Sequence, residues 1–390
     1  MKQKVALAFS GGLDTTFCVK YLSLEKDLEV HSVFINSGGF SKQEEEKIEK
    51  RARSLGVSSH ISIDVSETYY KKCIRYLVYG NMMRNYHYPM SVSSERIFQA
   101  MAVVEYAQKQ GINIVAHGST GAGNDQVRFD MIFQILAPGI EVLAPIRELK
   151  LSREAEVEYL QKVGFNESFE KHAYSINQGL WGTTVGGKET LTSSQGLPEE
   201  AYPSQLEEQK PKDMVVEFEK GELVGGVASI RQIEEEAAAF AIGRGIHMGE
   251  TIIGIKGRVG FEAAAPAIII RAHQELEKHT LGKWQSYWKG QLSEWYGMML
   301  HEGQYLDPVM RNIEKFLKDT QLFVSGKVYL TLRPYAFEVN GIESEHDLMK
   351  ASGATYGEMH EGWSGEDVIG FTRIMSNPAR LYHSLHPYKS

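Results

Sequence analysis

Two polar segments of this 390-residue chain carry residue types that could do chemistry. The first, SGGLDTT at 10 to 16, lies between a short apolar run, KVALAF, and a stretch of helical spacing. Gly11 and Gly12 allow a tight turn and bring backbone N–H groups close to a ligand. The helix start behind them offers free N–H groups and a positive dipole end to an anion. Ser10, Thr15 and Thr16 add hydroxyl donors. Asp14 repels a bare phosphate but fits where Mg²⁺ lies between carboxylate and phosphate oxygens. By itself the segment reads either as a phosphate seat or as a plain strand–helix turn. It is neither a P-loop nor a dinucleotide fingerprint, because GxxxxGK[ST] and GxGxxG are both absent.

The second segment is HGSTGAGNDQVRFD, 117 to 130, directly after the apolar run NIVA. It is either a solvated surface loop or a polar site for a zwitterion. In the second case Asn and Thr bond a carboxylate or amide, Asp holds an ammonium, and Arg clamps a carboxylate in bidentate fashion.

The elements around these loops set where they point. Strand patterns at 4 to 9, 29 to 36, 60 to 65 and 113 to 120 alternate with helical patterns at 15 to 24, 44 to 55 and 95 to 110. That alternation predicts an α/β fold, an N-terminal doubly wound parallel sheet. Ligands of such sheets sit beyond the carboxyl ends of the strands, so both loops are expected at one crevice. After about 165 the character changes. Residues 186 to 213 read as loop, and MVVEFEKGELVGGVAS reads as a hairpin turning at Lys220-Gly221. Helices are expected at 232 to 242, 267 to 281 and 287 to 296, and strands at TIIGIKGRV and KVYLTLR. A helix around 367 to 375 leads to Asn377-Pro378 and a short polar end. The expected division is 1–165, a nucleotide-binding domain; 166–365, a second α+β domain; and 366–390, a C-terminal helical tail.

Bulk properties narrow the function. The formal charge of −8 disfavours a general affinity for nucleic acid. No apolar run is long enough to span a membrane, and the N-terminus lacks a signal-peptide layout. Cys18 and Cys73 make neither a disulfide framework nor a metal motif, which points to a reducing cytoplasm. His117 reads as a packed, hydrogen-bonded histidine, and Glu44 to Glu46 as a solvated helix face. Trp284, Tyr287, Trp288, Trp295 and Tyr296 read as core or subunit interface.

SGGLDT resembles the pyrophosphate loop of the N-type ATP pyrophosphatases, whose fold is adenine nucleotide alpha hydrolase-like. Together with HGSTGAGNDQVRFD it resembles the argininosuccinate synthase family. YPMSVSSER, 88 to 96, is similar to that family's Tyr-x-x-Gly-Thr-Ser-x-x-Arg stretch. AYSINQGLWGTT, 173 to 184, is similar to its Tyr-Ser-x-Asp-x-Asn-Leu-Trp-Gly-x-Ser stretch. Weaker similarity runs through 243 to 262 and 272 to 281.

The resemblance implies a ligase that joins citrulline and aspartate using ATP with Mg²⁺, releasing AMP and pyrophosphate. It implies that Ala8, Phe9, Ser10, Gly11, Gly12, Leu13, Asp14, Thr15 and Thr16 bind ATP, with Ile35 near the adenine and Gly118 by the phosphates. Thr120, Asn124 and Asp125 would hold aspartate. Tyr88, Ser93, Asn124, Arg128, Ser175 and Thr184 would hold citrulline. No nucleophile is implied, and a homotetramer is. Departures from the pattern stand at Ala122, where the family has Lys, and at Ser91 and Val92, where it has Gly and Thr. Gly249 and Phe261 stand where it has Glu and Tyr, with Glu250 as a candidate substitute. Two other readings remain: a tRNA-thiolating or amidotransferase-type pyrophosphatase, which two isolated cysteines disfavour, and an inactive nucleotide or amino-acid sensor.

Overall fold

The computed structural model describes residues 2–165, 174–351, 357–358 and 362–388. The first half runs β1 (Lys4–Ala8), α1 (Leu13–Leu24), β2 (Glu29–Asn36), α2 (Lys42–Ser54), β3 (Ser59–Asp64), α3 (Ser66–Tyr69) and α4 (Arg75–Tyr79). It continues with α5 (Ser91–Lys109), β4 (Ile114–Ala116), α6 (Asp125–Leu136), β5 (Glu141–Leu143), α7 (Pro145–Leu149) and α8 (Arg153–Lys162). The five strands form one parallel sheet in the order β3-β2-β1-β4-β5. The chain winds outward from β1 through β2 to β3, then returns to the other side of β1 with β4. The crevice beyond β1 and β4 is therefore the switch point at which open α/β sheets bind ligands.

β1 is buried on both faces, as its unbroken apolar run requires. Val5 and Leu7 pack with Phe17, Val19 and Leu22 of α1. Ala6 faces the other way, into a cluster with Val103 and Val104 of α5. Helices thus cover both faces of the sheet.

The second half contains β6 (Ser175–Asn177), β7 (Thr183–Gly186), β8 (Lys212–Glu219), β9 (Glu222–Leu223) and α9 (Gly226–Ala238). Then come β10 (Arg244–Glu250), β11 (Lys256–Glu262), α10 (Ala264–Thr280), α11 (Lys283–His301), α12 (Pro308–Thr320), β12 (Gly326–Arg333) and β13 (Ala336–Glu343). They build two four-stranded sheets, β10-β11-β7-β6 and β13-β12-β8-β9. β8 alternates strictly: Met214, Val216 and Phe218 are buried and their neighbours exposed, which suits a sheet with one wet face. One buried cluster contains Phe98 and Phe129 from the first half and Phe218, Ile230, Ile269 and Leu330 from the second. Met1–Glu345 is accordingly one compact unit. The other unit, His346–Ser390, holds α13 (Leu348–Ala351), α14 (Gly365–Met375) and α15 (Asn377–Leu385). These three helices bury none of their own residues. No helix among the described residues is long and apolar enough to cross a membrane.

Several elements differ from the sequence expectation. α5 begins at Ser91, so Ser91 and Ser93 sit in a helical first turn rather than in a loop. The hairpin turns at Lys220-Gly221 as expected, but α9 starts at Gly226, where a strand was expected to continue. TIIGIKGRV is not one strand: Thr251 to Gly254 form the turn between β10 and β11, and Gly254 has φ +84°. Asn377-Pro378 opens α15, with Pro at the first turn, instead of a polar end. Of the five α11 aromatics read as core or subunit interface, Tyr296 is core, while Trp284, Tyr287, Trp288 and Trp295 are exposed on the single chain and so are not core. The Glu44–Glu46 run is more than a solvated face. Glu44 completes a capping box with Ser41, and Glu45 accepts from Asn36 Nδ2 at 2.6 Å. The expected domain boundary at 165/166 and Ala173 of the fourth motif border or lie within 166–173, outside the described residues.

Candidate active site

The first loop is a turn between β1 and α1. Gly11 has φ +77°, a conformation that a side chain disfavours, and its carbonyl accepts from Arg51 Nη1 at 2.5 Å. Gly12 caps α1 in an extended conformation, and a Cβ built there meets only Ser10 Oγ, at 3.5 Å. The space over the helix start is therefore open. Thr15 Oγ1 lies 3.3 Å from Ser10 Oγ and donates to the Gly12 carbonyl at 3.3 Å. Of the nine residues from Ala8 to Thr16, Ser10 and Gly12 are exposed and Ala8 and Asp14 partly so. Phe9, Leu13 and Thr16 are buried, and Thr16 Oγ1 makes no hydrogen bond. Ile35 is buried near the carboxyl end of β2, the neighbour of β1.

The second loop follows β4 and closes on the first. A Cβ at Gly118 would stand 3.3 Å from Asp14 Cβ and Thr15 Cγ2. A side chain at 118 would make the two loops give by a few tenths of an ångström. His117 is buried and holds its loop: the backbone N–H of Ser119 donates to Nδ1 at 3.2 Å, and Nε2 pairs with Asp130 Oδ1 at 3.0 Å. This is the packed, hydrogen-bonded histidine that the sequence suggested. Arg147 of α7 donates to Asp130 Oδ2 at 2.6 Å and lays its stem beside Gly121, next to Ala122.

Asp125 and Arg128 open α6 on the same side. Asp125 accepts from Arg96 Nε at 2.9 Å and from Arg128 Nη1 at 2.9 Å. Burial pushes the Asp125 carboxyl up, but the two guanidiniums outweigh it and hold it below the ordinary range. Arg128, itself buried, donates from Nε and Nη2 to the carbonyl of His301 at 3.0 and 2.8 Å. Arg96 reaches Asn177 Oδ1 at 3.3 Å. Asn177, Thr184, Phe261 and Gly245 form one cross-strand row of the β6-β7-β11-β10 sheet. Asn124 Oδ1 accepts from the Ile252 N–H at 2.8 Å, tying the β10–β11 turn to the second loop.

The structure thus gathers Tyr88, Ser93, Asn124, Asp125 and Arg128, with Thr184 in the adjoining row. Tyr88 is buried, stacks on His247 at 4.9 Å and touches Phe261 at 5.3 Å between ring centroids. Ser93 Oγ donates to the Met90 carbonyl at 2.9 Å. Thr120 is exposed at the loop tip. Ser175 is exposed, two positions along β6 from Asn177 and so on the same strand face. Glu250 is not brought in: it alternates with Gly249 along β10, is mostly exposed, and pairs with Lys256 at 2.7 Å. Residues without an assigned role do enter: Arg96, Asn177, His247 and His301. Arg96 and Asn177 lie inside recognisable motifs, whereas His301 offers its backbone carbonyl, which no side-chain pattern marks. Cys18 and Cys73 are buried, and burial pushes both thiols up, so neither is a ready nucleophile.

A second acid stands under the first loop. Glu156 of α8 is buried, its Oε2 lacks a hydrogen-bond partner, and burial together with Asp14 pushes its carboxyl up to about 8. A divalent cation at this place would let both acids ionise, so the donor set fits one. Among the described residues no group of three or more His, Cys, Asp or Glu gathers as a metal site.

Comparison with known proteins agrees with this architecture. Residues 4–166 match the family described as Arginosuccinate synthase N-terminal HUP domain, so the first half is a HUP domain. Residues 174–382 match Arginosuccinate synthase C-terminal domain. The argininosuccinate synthase of Xanthomonas axonopodis pv. citri is 36% identical, the alignment covering 97% of this chain and 94% of that one. Those of Xanthomonas campestris pv. campestris and Dictyoglomus thermophilum are each 34% identical, covering 97% and 98% of this chain and 98% of each relative. The chain belongs to the argininosuccinate synthase family.

The Asp14–Glu156 pair gives a pH test of the fold. Glu156 is raised in the folded state from an ordinary value near 4.5 to about 8, so within that window the native chain holds a proton that the unfolded chain releases. Stability should therefore fall as pH rises through the window. Glu156→Gln should remove this fall. Urea midpoints taken near pH 5 and near pH 8 should show the wild type losing about 1 kcal/mol or more relative to the variant. Parallel pH dependences would show that the pair is not coupled.

Proposed function

We propose that this chain joins L-citrulline and L-aspartate at the expense of ATP, with the pyrophosphate seated in the first loop. The observation that carries the reading is the approach of Gly118 to Asp14 and Thr15, which puts both polar loops on one crevice. ATP lies over the start of α1, where open space and free N–H groups favour its phosphates, with the adenine towards Ile35. Mg²⁺ arriving with ATP would be held by Asp14 and would neutralise phosphate charge. The Arg147 stem lies beside Gly121, the neighbour of Ala122, with its guanidinium paired to Asp130. Thr120, Asn124 and Asp125 hold aspartate. Tyr88, Ser93, Asn124, Arg128, Ser175 and Thr184 hold citrulline. The functional division follows 1–165 for the nucleotide, 166–365 for the second half of the site, and 366–390 for assembly.

The reaction then needs position rather than a nucleophilic side chain. The ureido oxygen attacks the α-phosphorus, and the bond to pyrophosphate breaks. The aspartate amine attacks the ureido carbon, loses a proton, and AMP leaves with the ureido oxygen. With ¹⁸O in the citrulline ureido group, the label should be recovered in the phosphate of AMP, and chelation of divalent cations should stop turnover. Unlabelled AMP from a turnover that makes argininosuccinate overturns the adenylate route.

The loop is tested by Gly12→Val. An extended cap accepts a branched residue, so the variant should fold. Its methyl groups would fill the space over the helix start, and ATP affinity by calorimetry should fall about tenfold or more. Full affinity in a folded variant would make the loop only a turn.

The exposed aromatic face of α11 and the helices of the C-terminal unit support a homotetramer. Light scattering should give about four times the 43.9 kDa chain mass. Trp288→Glu should produce smaller species. A monomer at working concentration, or a variant tetramer unchanged on dilution, would count against this assembly.

A further inference from the structure

Guanidiniums outnumber the carboxylates that touch them around Tyr88: Glu95 acts on Arg96 but is held by Ser37, and Glu250, which acts with Arg84, is exposed and paired with Lys256. Arg84, Arg96 and Arg128 bring three guanidiniums to this pocket. Asp125 is the carboxylate that acts on Tyr88 and His301, and Arg96 and Arg128 already bind it. Both imidazoles are neutral near pH 7. Burial pushes His247 down to about 4, with Arg84 and His87 adding to the shift. Burial, Arg128 and Arg84 push His301 down to about 2. No carboxylate is among the groups acting on His247.

Gly249 accounts for part of this. Gly249 and His247 are two residues apart on β10 and share a face. A Cβ at 249 would lie 2.6 Å from His247 Nε2, so the imidazole fills the volume that a side chain at 249 would use. At this place the chain has an imidazole stacked on Tyr88. Glu250 does not compensate, since it is exposed and paired with Lys256. Phe261, which completes the wall, has no hydroxyl.

The same region has polar atoms without partners. Arg84 Nη1 and His301 Nδ1 are buried and make no hydrogen bond. Arg84 can only donate. An acceptor oxygen on a ligand would satisfy it. An ammonium would bring more donors and a like charge.

We propose that this pocket takes a ureido acid whose α-nitrogen is uncharged, an Nα-acyl ureido amino acid, with the acyl carbonyl accepting from Arg84 beside the His247 ring. The inference rests on the ligation reading. The ureido oxygen is still activated and the aspartate amine still displaces AMP, and only the far end of the substrate differs.

The test is pyrophosphate release by the full chain with ATP and saturating aspartate, comparing L-citrulline with Nα-acetyl-L-citrulline. The acetyl compound should have the higher kcat/KM by about tenfold or more, the size of one charge-assisted contact. The double exchange His247→Ala with Gly249→Glu should move the ratio back towards citrulline by a similar factor. If the wild type uses citrulline as well as or better than the acetyl compound, the inference is overturned and the ligation reading stands. If neither compound releases pyrophosphate, both fall.

Discussion

The site depends on one steric constraint: two loops from neighbouring parallel strands must touch. β1 and β4 pair in register, Val5 with Ile114 and Leu7 with Ala116, so their carboxyl ends finish side by side. A tight turn must follow each strand, and a helix must start from the first turn without colliding with the second. Gly11 supplies the left-handed turn, and Gly118 removes the Cβ that would strike Asp14 and Thr15. Side chains at both positions would strain the first turn and push the loops apart by a few tenths of an ångström. The sheet order, the helix start and the polar composition of the second loop all follow from meeting this constraint at the switch point.

A second constraint is electrostatic. Arg128 is buried, where an unpaired charge is costly, and it pairs with the partly exposed Asp125. The knot around them is closed by parts far apart in sequence: Arg96 from α5, Asn177 from β6, and the carbonyl of His301 at the end of α11. The last is apt, because the final carbonyls of a helix lack intrahelical partners and carry its negative dipole end. A bidentate guanidinium satisfies one of them and is held by it. The second half of the chain is therefore fixed to the first at the point where the polar loops meet.

What could be read in the sequence follows from how few residues each role allows. A left-handed turn before a helix admits little besides glycine, and a compact polar loop after a buried strand is rarely accidental, so both loops and the parallel sheet were legible. The β10–β11 turn was hidden because the apolar alternation of TIIGIKGRV continues through it, although Ile253 and Ile255 are exposed. The start of α9 was hidden by Gly225 and Gly226, both at positive φ, which resemble a hairpin end more than a helix start. Asn377-Pro378 read as a stop, yet proline at a first helical turn is also a start. Helical spacing of the aromatics on α11 showed that they share an element but not which face meets water. The contribution of His301 had no signature, since every residue has a backbone carbonyl.

The chemistry these constraints leave is that of placement. Both thiols are buried, which pushes their pKa values up, and burial pushes the imidazoles of His247, His273 and His301 down. The second acid under the first loop is buried beside the partly exposed Asp14. Nothing here is poised to attack a substrate. What the crevice has is a helix start with open space above it, guanidiniums of Arg96 and Arg128 bound to Asp125, and hydroxyls at the turns. Such a set stabilises phosphate and carboxylate charge and orients two small molecules, which is sufficient when ATP itself supplies the leaving group. Departures from the family pattern then act on which molecule is oriented rather than on how bonds change. Gly249 and Phe261 stand beside His247 and Tyr88, whereas Ala122 stands in the second loop, away from them.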